Sequence, residues 1–187
     1  MIKHRLPGRR PLTRHSYRRC VHEAERPRLR VRTAVLADAD KLAALNAVVQ
    51  ALHHREHPEL FKAPDLDAST SQFLMLLAQP EVTILLAEVD GRPTGYSYVE
   101  LFDRPETAFT HAHSHLYVHH LVVANEAQRS GVGRALLDAV KAMAWRLDVR
   151  DVRLDYWCFN APAAGFFTSQ GFVPYIIKAR TRLQDAR

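Results

Sequence analysis

The sequence lacks most of the features that mark a specialised class of protein. No apolar run approaches the roughly 20 residues needed to span a bilayer, so a transmembrane protein is not expected, and neither is a membrane partner. Cys20 and Cys158 are the only cysteines. Two cannot build a disulfide framework, which points to a reducing compartment and so to the cytoplasm. The opening MIKHRLPGRR is basic but has no apolar stretch behind it, so it does not read as a secretory signal. There is no internal repeat and no Gly/Ser linker. With 187 residues, 47% hydrophobic and 25% charged, the chain is expected to pack as one domain with an appendage.

Net charge is also scarce once it is mapped. The formal charge is +6, but residues 1–27 hold eight basic side chains against Glu23 and Glu25, which is the whole excess. The remainder is neutral, which argues against a nucleic-acid partner for the folded part. Residues 1–27 also carry Pro7, Gly8, Pro11 and Pro27 and show no periodicity, so they read as a disordered extension. A solvated leader, an overextended start, a nucleic-acid arm and a targeting segment are all compatible with it.

From Arg28 onward the pattern is that of alternating elements. Leu29–Thr33 alternates as a short strand, and Asp38 or Asp40 can cap a helix that ends before Pro58. A second helix is expected over Ser69–Ala78, with Phe73, Leu74 and Leu77 inward. Val82–Val89 and Thr94–Leu101 flank Asp90-Gly91-Arg92-Pro93 as a hairpin. A strand Leu116–Val123, a helix Val132–Leu147, a strand Val152–Cys158 and a helix Ala161–Ser169 follow. Strands around Phe172–Ile177 and Ala179–Leu183 complete one mixed α/β domain.

The most informative stretch is a strand, Leu121-Val122-Val123, running through Gln128-Arg129-Ser130-Gly131-Val132-Gly133-Arg134 into a long helix. Glycines let a backbone approach a ligand closely, and the free N–H groups of a helix's first turn attract anions. A diphosphate suits such a turn, with Arg129 or Arg134 adding charge-assisted contacts; glycines that merely ease packing are the plainer alternative. Neither better-known phosphate motif is present. GxxxxGK[ST] is absent, and Leu136 stands where the third glycine of GxGxxG would fall.

Gln128-Arg129-Ser130-Gly131-Val132-Gly133 resembles the [RQ]xxGx[GA] signature of the GCN5-related N-acetyltransferase (GNAT) superfamily. Asn160-Ala161-Pro162-Ala163-Ala164-Gly165-Phe166-Phe167, continuing to Gly171-Phe172, resembles that superfamily's NxxAxxFYxxxGF segment at the expected distance. The resemblance covers about residues 28–185. It implies a single GNAT domain over 28–187, a mixed and mostly antiparallel sheet flanked by helices. Two splayed parallel strands, Leu116–Val123 and Val152–Cys158, would form an acetyl-CoA cleft.

The resemblance further implies that acetyl-CoA is the co-substrate. Backbone groups of Leu121, Val122 and Val123 would hold the pantetheine and thioester, and Gln128 through Arg134 the pyrophosphate. Asn160, Ala163, Phe166 and Phe167 would line the pantetheine arm; for Asn160 a helix N-cap is the plain alternative. The activity implied is transfer of an acetyl group to a primary amine of a small molecule or peptide by direct attack. A non-catalytic acyl-CoA-binding module and a peptide N-terminal acetyltransferase are the alternatives, and a homodimer stays open.

An amine with a pKa near ~10 must lose a proton, and imidazole titrating near ~6.5 suits that task. Members of the superfamily commonly place the base two residues ahead of the Leu121 equivalent, which is His119 here. Tyr117 shares its nominal face, while His120 is expected opposite unless a bulge intervenes. Water and Glu100 are alternative bases. The superfamily's acidic tyrosine aligns with Phe167, so Tyr156, another hydroxyl or solvent is left to protonate the thiolate. His111, His113 and His115 are expected on the loop entering the strand. Together with His119 and His120 they keep no metal-ligand spacing, and no metal is expected. Glu56, Glu59, Asp65 and Asp67 are expected to attract a cationic acceptor.

Overall fold

The Asp90-Gly91 pair sets the register of the sheet. In the computed structural model, which describes residues 27–182, the two residues have φ angles of 50° and 78°, as a two-residue hairpin turn between right-twisted strands requires. The turn is therefore two residues long rather than four. Strand β2 (Val82–Val89) passes almost directly into β3 (Arg92–Arg104), and Pro93 sits opposite Glu88 beside a register shift. β1 (Leu29–Thr33) adds antiparallel to β2, and β4 (His113–Val123) antiparallel to β3. β5 (Val152–Leu154) pairs parallel with β4, giving the order β1-β2-β3-β4-β5.

Adjacent strand residues point to opposite faces, which assigns the helices. The Tyr96 hydroxyl reaches Asn46 on helix α1 (Ala39–Glu56). A Cβ on neighbouring Gly95 would instead meet Val132 and Leu136 of α3 (Val132–Arg146). Thus α1, with α2 (Leu66–Leu77) against it, covers one face and α3 the other. Leu42, Ile84, Leu86 and Tyr96 are fully buried between α1 and the sheet, and Leu116, Leu136 and Val140 are buried in the same core. Asp65 accepts from the Ala68 N–H and starts α2 three residues earlier than expected. Its inward residues are Phe73 and Leu76, while Leu74 is exposed.

Three further departures bear on the site. β4 begins at His113, so His113 and His115 lie in the strand rather than on a loop, and His115 is buried against Phe102 with ring centroids 5.3 Å apart. β5 spans only Val152–Leu154. The segment 172–182 forms no strand: Pro174 has no N–H to give a ladder, and Lys178 and Arg182 are drawn instead to Asp155 and Glu59. The expected basic extension, apart from Pro27, and the end of the second terminal strand at Leu183 lie outside the described residues. Among the described residues no helix is long and apolar enough to cross a membrane.

Candidate active site

β4 carries the irregularity from which the site is built. Tyr98 pairs with His120, yet its neighbour Val99 pairs with Val118, so His119 is an extra residue, a β-bulge. The bulge changes which backbone groups face β5. Before it, the Leu116 N–H donates to the Asp151 carbonyl on the β5 side. Beyond it, the Ala124 N–H donates to the Thr94 carbonyl on the β3 side. Backbone directions alternate along a strand, so Leu121 and Val123 turn their N–H and C=O groups away from β3. β5 is no longer there to meet them, because the ladder ends at Val118 and Leu154. The two parallel strands part, and the gap between them is edged by unpaired main chain.

The bulge also brings both histidines to one face. Alternation alone puts His119 and His120 opposite each other; instead His119 stacks on Tyr98 at 4.4 Å and the His120 ring lies edge-on to the same tyrosine at 5.6 Å. His119 Nε2 lies 2.8 Å from Glu100 Oε2. A carboxylate only accepts, so Nε2–H donates and Nδ1 is the bare nitrogen. The Tyr96 hydroxyl donates to Asn46 Oδ1 at 2.8 Å and lies 2.9 Å from His120 Nδ1. Its oxygen therefore accepts from His120 Nδ1–H, which leaves Nε2 bare. Burial, reinforced by His119 and His53, pushes His120 down to about 4.

Tyr117 joins this group, its ring 4.9 Å from that of His119. Burial first, then a hydrogen bond to Asp155, pushes its hydroxyl well above the usual phenol range. It is a proton donor at neutral pH and not a base. Burial pushes Asp155 up, but the Lys178 ammonium and the Tyr117 hydroxyl together hold its carboxyl below the usual value.

On the other side of the gap, the turn before α3 has unusual backbone. Arg129 and Gly131 take φ angles of 64° and 92°, and Gln128, Arg129, Ser130 and Gly131 are all exposed. The Ala135 N–H bonds back to the Gly131 carbonyl, so the N–H groups of Val132, Gly133 and Arg134 are the free ones of the first turn. The two glycines differ in purpose. A Cβ at Gly131 would touch nothing within 4 Å, and only its φ demands glycine. A Cβ at Gly133 would come 3.2 Å from Phe166, so there the requirement is packing of α3 on α4 (Ala161–Ser169). The Arg134 side chain pairs with Asp138 at 3.7 Å.

Asn160 N-caps α4, accepting from the Ala163 N–H at 3.2 Å, and keeps its amide N–H groups to offer. Phe167 is buried between Tyr156, 5.7 Å away and nearly parallel, and Phe172 at 5.9 Å. Its position is thus a core position, and the exposed Tyr156 ring beside it carries a hydroxyl.

Three of the four acidic residues expected to draw in a cation are otherwise engaged, and Asp67 lies exposed in the first turn of α2. Glu59 is paired with Arg182 and Arg180, Glu56 with Arg55, and Asp65 caps α2. In their place a group of rings closes the α1–α2 loop onto the chain after β5. Phe61 lies 4.8 Å from His53 and 5.5 Å from Trp157, and Trp157 stacks near Phe159. No local pattern singles out Asn46, Tyr96, Asp155, Trp157 or Phe159, because each acquires its place in the site from a partner tens of residues away.

Similarity to known proteins agrees with this geometry. A tetramutant of the BH1408 protein from Bacillus halodurans superposes with a TM-score of 0.78 at 22% identity, covering 82% of this chain and 99% of that one. An aminoglycoside N-acetyltransferase, AAC(6')-Iy in complex with CoA, gives 0.67 at 15% identity over 86% and 99% of the two chains. A ribosomal-protein-alanine N-acetyltransferase from Brucella melitensis gives 0.63 at 17% identity over 83% and 100%. These likenesses are of fold alone. No curated protein sequence matches the chain. The profile of the Acetyltransferase (GNAT) family matches residues 46–172, the span from α1 through the bulged strand, the parted gap and the turn to Phe172. The chain belongs to the GNAT family of acetyltransferases.

Proposed function

We propose that this acetyltransferase moves the acetyl group of acetyl-CoA onto a primary amine of a small molecule or peptide by direct attack. The observation that carries the reading is the gap after Val118 and Leu154, edged by main chain of Leu121 and Val123 and ending at the free N–H groups of α3. A long thiol-ester arm with a diphosphate at one end suits such a gap. It would supply an activated acetyl group.

Leu121 and Val123 would hold the arm by backbone hydrogen bonds, with Val122 anchoring the strand between them. The N–H groups of Arg129 and of Gly131 through Arg134 would hold the diphosphate, with Gln128 and Ser130 bracing the turn by their own bonds to Asn125 and Ala127. The Asn160 amide would donate to the arm along a wall of Ala163 and Phe166, with Phe167 packed behind it. His119, with Glu100 fixing its Nε2–H, takes the ammonium's proton at Nδ1 and frees the amine lone pair. The C–N bond then forms, the C–S bond breaks, and the second nitrogen proton passes to solvent as the amide forms. Tyr156 offers its hydroxyl proton to the leaving thiolate, and Tyr117 positions His119 through their ring contact. The cytoplasm would supply both substrates.

The test is release of free thiol from acetyl-CoA against a panel of amines. Thiol release that depends on an amine, with recovery of the acetylated amine, supports the reading. CoA binding without transfer to any amine would identify a non-catalytic binding module instead.

A further inference from the structure

Resting on the acyl-transfer reading above, we infer that the acceptor is an amine carried on an aromatic or similarly apolar body and is not a polycationic amino sugar. Two independent observations lead there. The first is the ring group at the mouth: His53, His57, Phe61, Trp157 and Phe159 lie within 4.8–6.4 Å of one another in the contacts that join them, and each is only half buried. His57, Trp157 and Phe159 open onto a groove of about 1390 Å³, which Asp155 also lines. Asp155 accepts from Tyr117, whose ring lies 4.9 Å from that of His119, so the wall of the groove connects to the base through Tyr117. A flat apolar body can pack against the exposed sides of such rings, in offset or edge-on contact.

The second observation is charge. Residues 53–62 and 173–182 meet across the mouth through Glu59 and the two arginines 180 and 182. With Asp155 beside them they carry Arg55, Lys62, Lys178, Arg180 and Arg182 against Glu56, Glu59 and Asp155, a surplus of two positive charges. All three carboxylates are already paired. A ligand with several ammonium groups would enter a field of its own sign, at a cost that screening only partly removes. A single ammonium on a ring escapes most of that cost, and Glu100 lies beside His119 to receive it.

Isothermal titration of the full chain saturated with CoA tests this, using tyramine and kanamycin as probes. Tyramine is expected to bind, and Trp157→Ala to weaken it about tenfold, an aromatic contact's worth together with its buried area. Trp157→Phe should keep most of the affinity. Unchanged CoA affinity in both variants shows that they fold. Kanamycin is expected to bind weakly, and better in Arg180→Glu/Arg182→Glu. Kanamycin binding more tightly than tyramine, or tyramine indifferent to Trp157→Ala, would overturn the inference. Tyramine that binds as described but yields no thiol would spare the inference and overturn the transfer reading. Thiol release with kanamycin and no tyramine binding would do the reverse.

Discussion

The two sides of the parted strands are built in different ways. The proposed cofactor side is built mainly from Leu121 to Arg134, fourteen consecutive residues in which a strand, a turn and a helix start follow one another, with the start of α4 as its far wall. The acceptor side is assembled from the end of α1 and its loop, the chain beyond β5 and the segment 172–182, held by Phe61 against Trp157 and by Glu59 against Arg180 and Arg182. A contiguous site positions main-chain groups, which any sequence possesses. An assembled site positions side chains, and its specificity can change with one ring or one charge. The bulge at His119 joins the two, since it turns backbone toward the cofactor side and imidazoles toward the acceptor side.

The largest effect should come from separating these two roles. His119→Ala should lower kcat by roughly 10²–10⁴-fold, the worth of a general base, with CoA affinity nearly unchanged. The deficit should shrink above pH ~9, where the amine deprotonates unaided. An equal loss of CoA affinity would mean that the bulge itself had collapsed.

Stability should reveal the buried half of the histidine pair. An unfolded imidazole titrates near ~6.5, whereas burial holds His120 at about 4. As pH falls, the unfolded chain takes up this proton first. Stability present above pH ~6.5 is therefore lost between ~6.5 and ~4, up to about 3 kcal/mol. His53 is lowered as well, by burial and then His57, and acts in the same direction. The carboxyl of Asp38, held far down first by the Arg32 guanidinium, contributes only at lower pH. Melting temperatures followed from pH 7 to 4 should flatten in His120→Gln; an unaltered slope would place the proton elsewhere.

Gly131→Val strikes the cofactor side alone. The φ of 92° is strained for any residue with a Cβ, at about 1–3 kcal/mol, so CoA affinity measured by calorimetry should fall by about tenfold while the fold survives. An unchanged affinity would remove the turn from the diphosphate site. The smallest effect is expected at Tyr156. A thiol of pKa near ~8.5 leaves readily without help, so Tyr156→Phe should cost kcat about tenfold at most. A drop as large as that of His119→Ala would make protonation of the thiolate the harder step.

The same contrast explains what the sequence reveals. The turn at Gln128–Gly133 and the segment from Asn160 to Phe172 are local patterns, and the hairpin at Asp90-Gly91 needs only its own two φ angles. The fold class and the helix at Val132 follow from such signals, while the parting of the strands is implied only by the family resemblance those patterns carry. The bulge is different: an extra residue in β4 appears only when β3 is laid beside it, so alternation leaves His120 opposite His119 unless a bulge intervenes, and the pairing with β3 shows that one does. Asn46 reaches Tyr96 across 50 positions and Arg182 reaches Glu59 across 123, distances over which periodicity carries no information. The terminal segment reads as strand because Tyr175, Ile176 and Ile177 favour strands, but Pro174 and the ion pairs of Lys178 and Arg182 direct it elsewhere.

The central claim is that the bulge turns Leu121 and Val123 to face the cofactor while α3 receives its diphosphate. Backbone amide shifts followed by NMR during a titration with CoA test it most directly. The account predicts the largest changes at Leu121, Val123 and residues 129–134, with the rings at Phe61 and Trp157 little affected. Changes concentrated in the α1–α2 loop and residues 172–182, with Leu121 and Val123 silent, would contradict it.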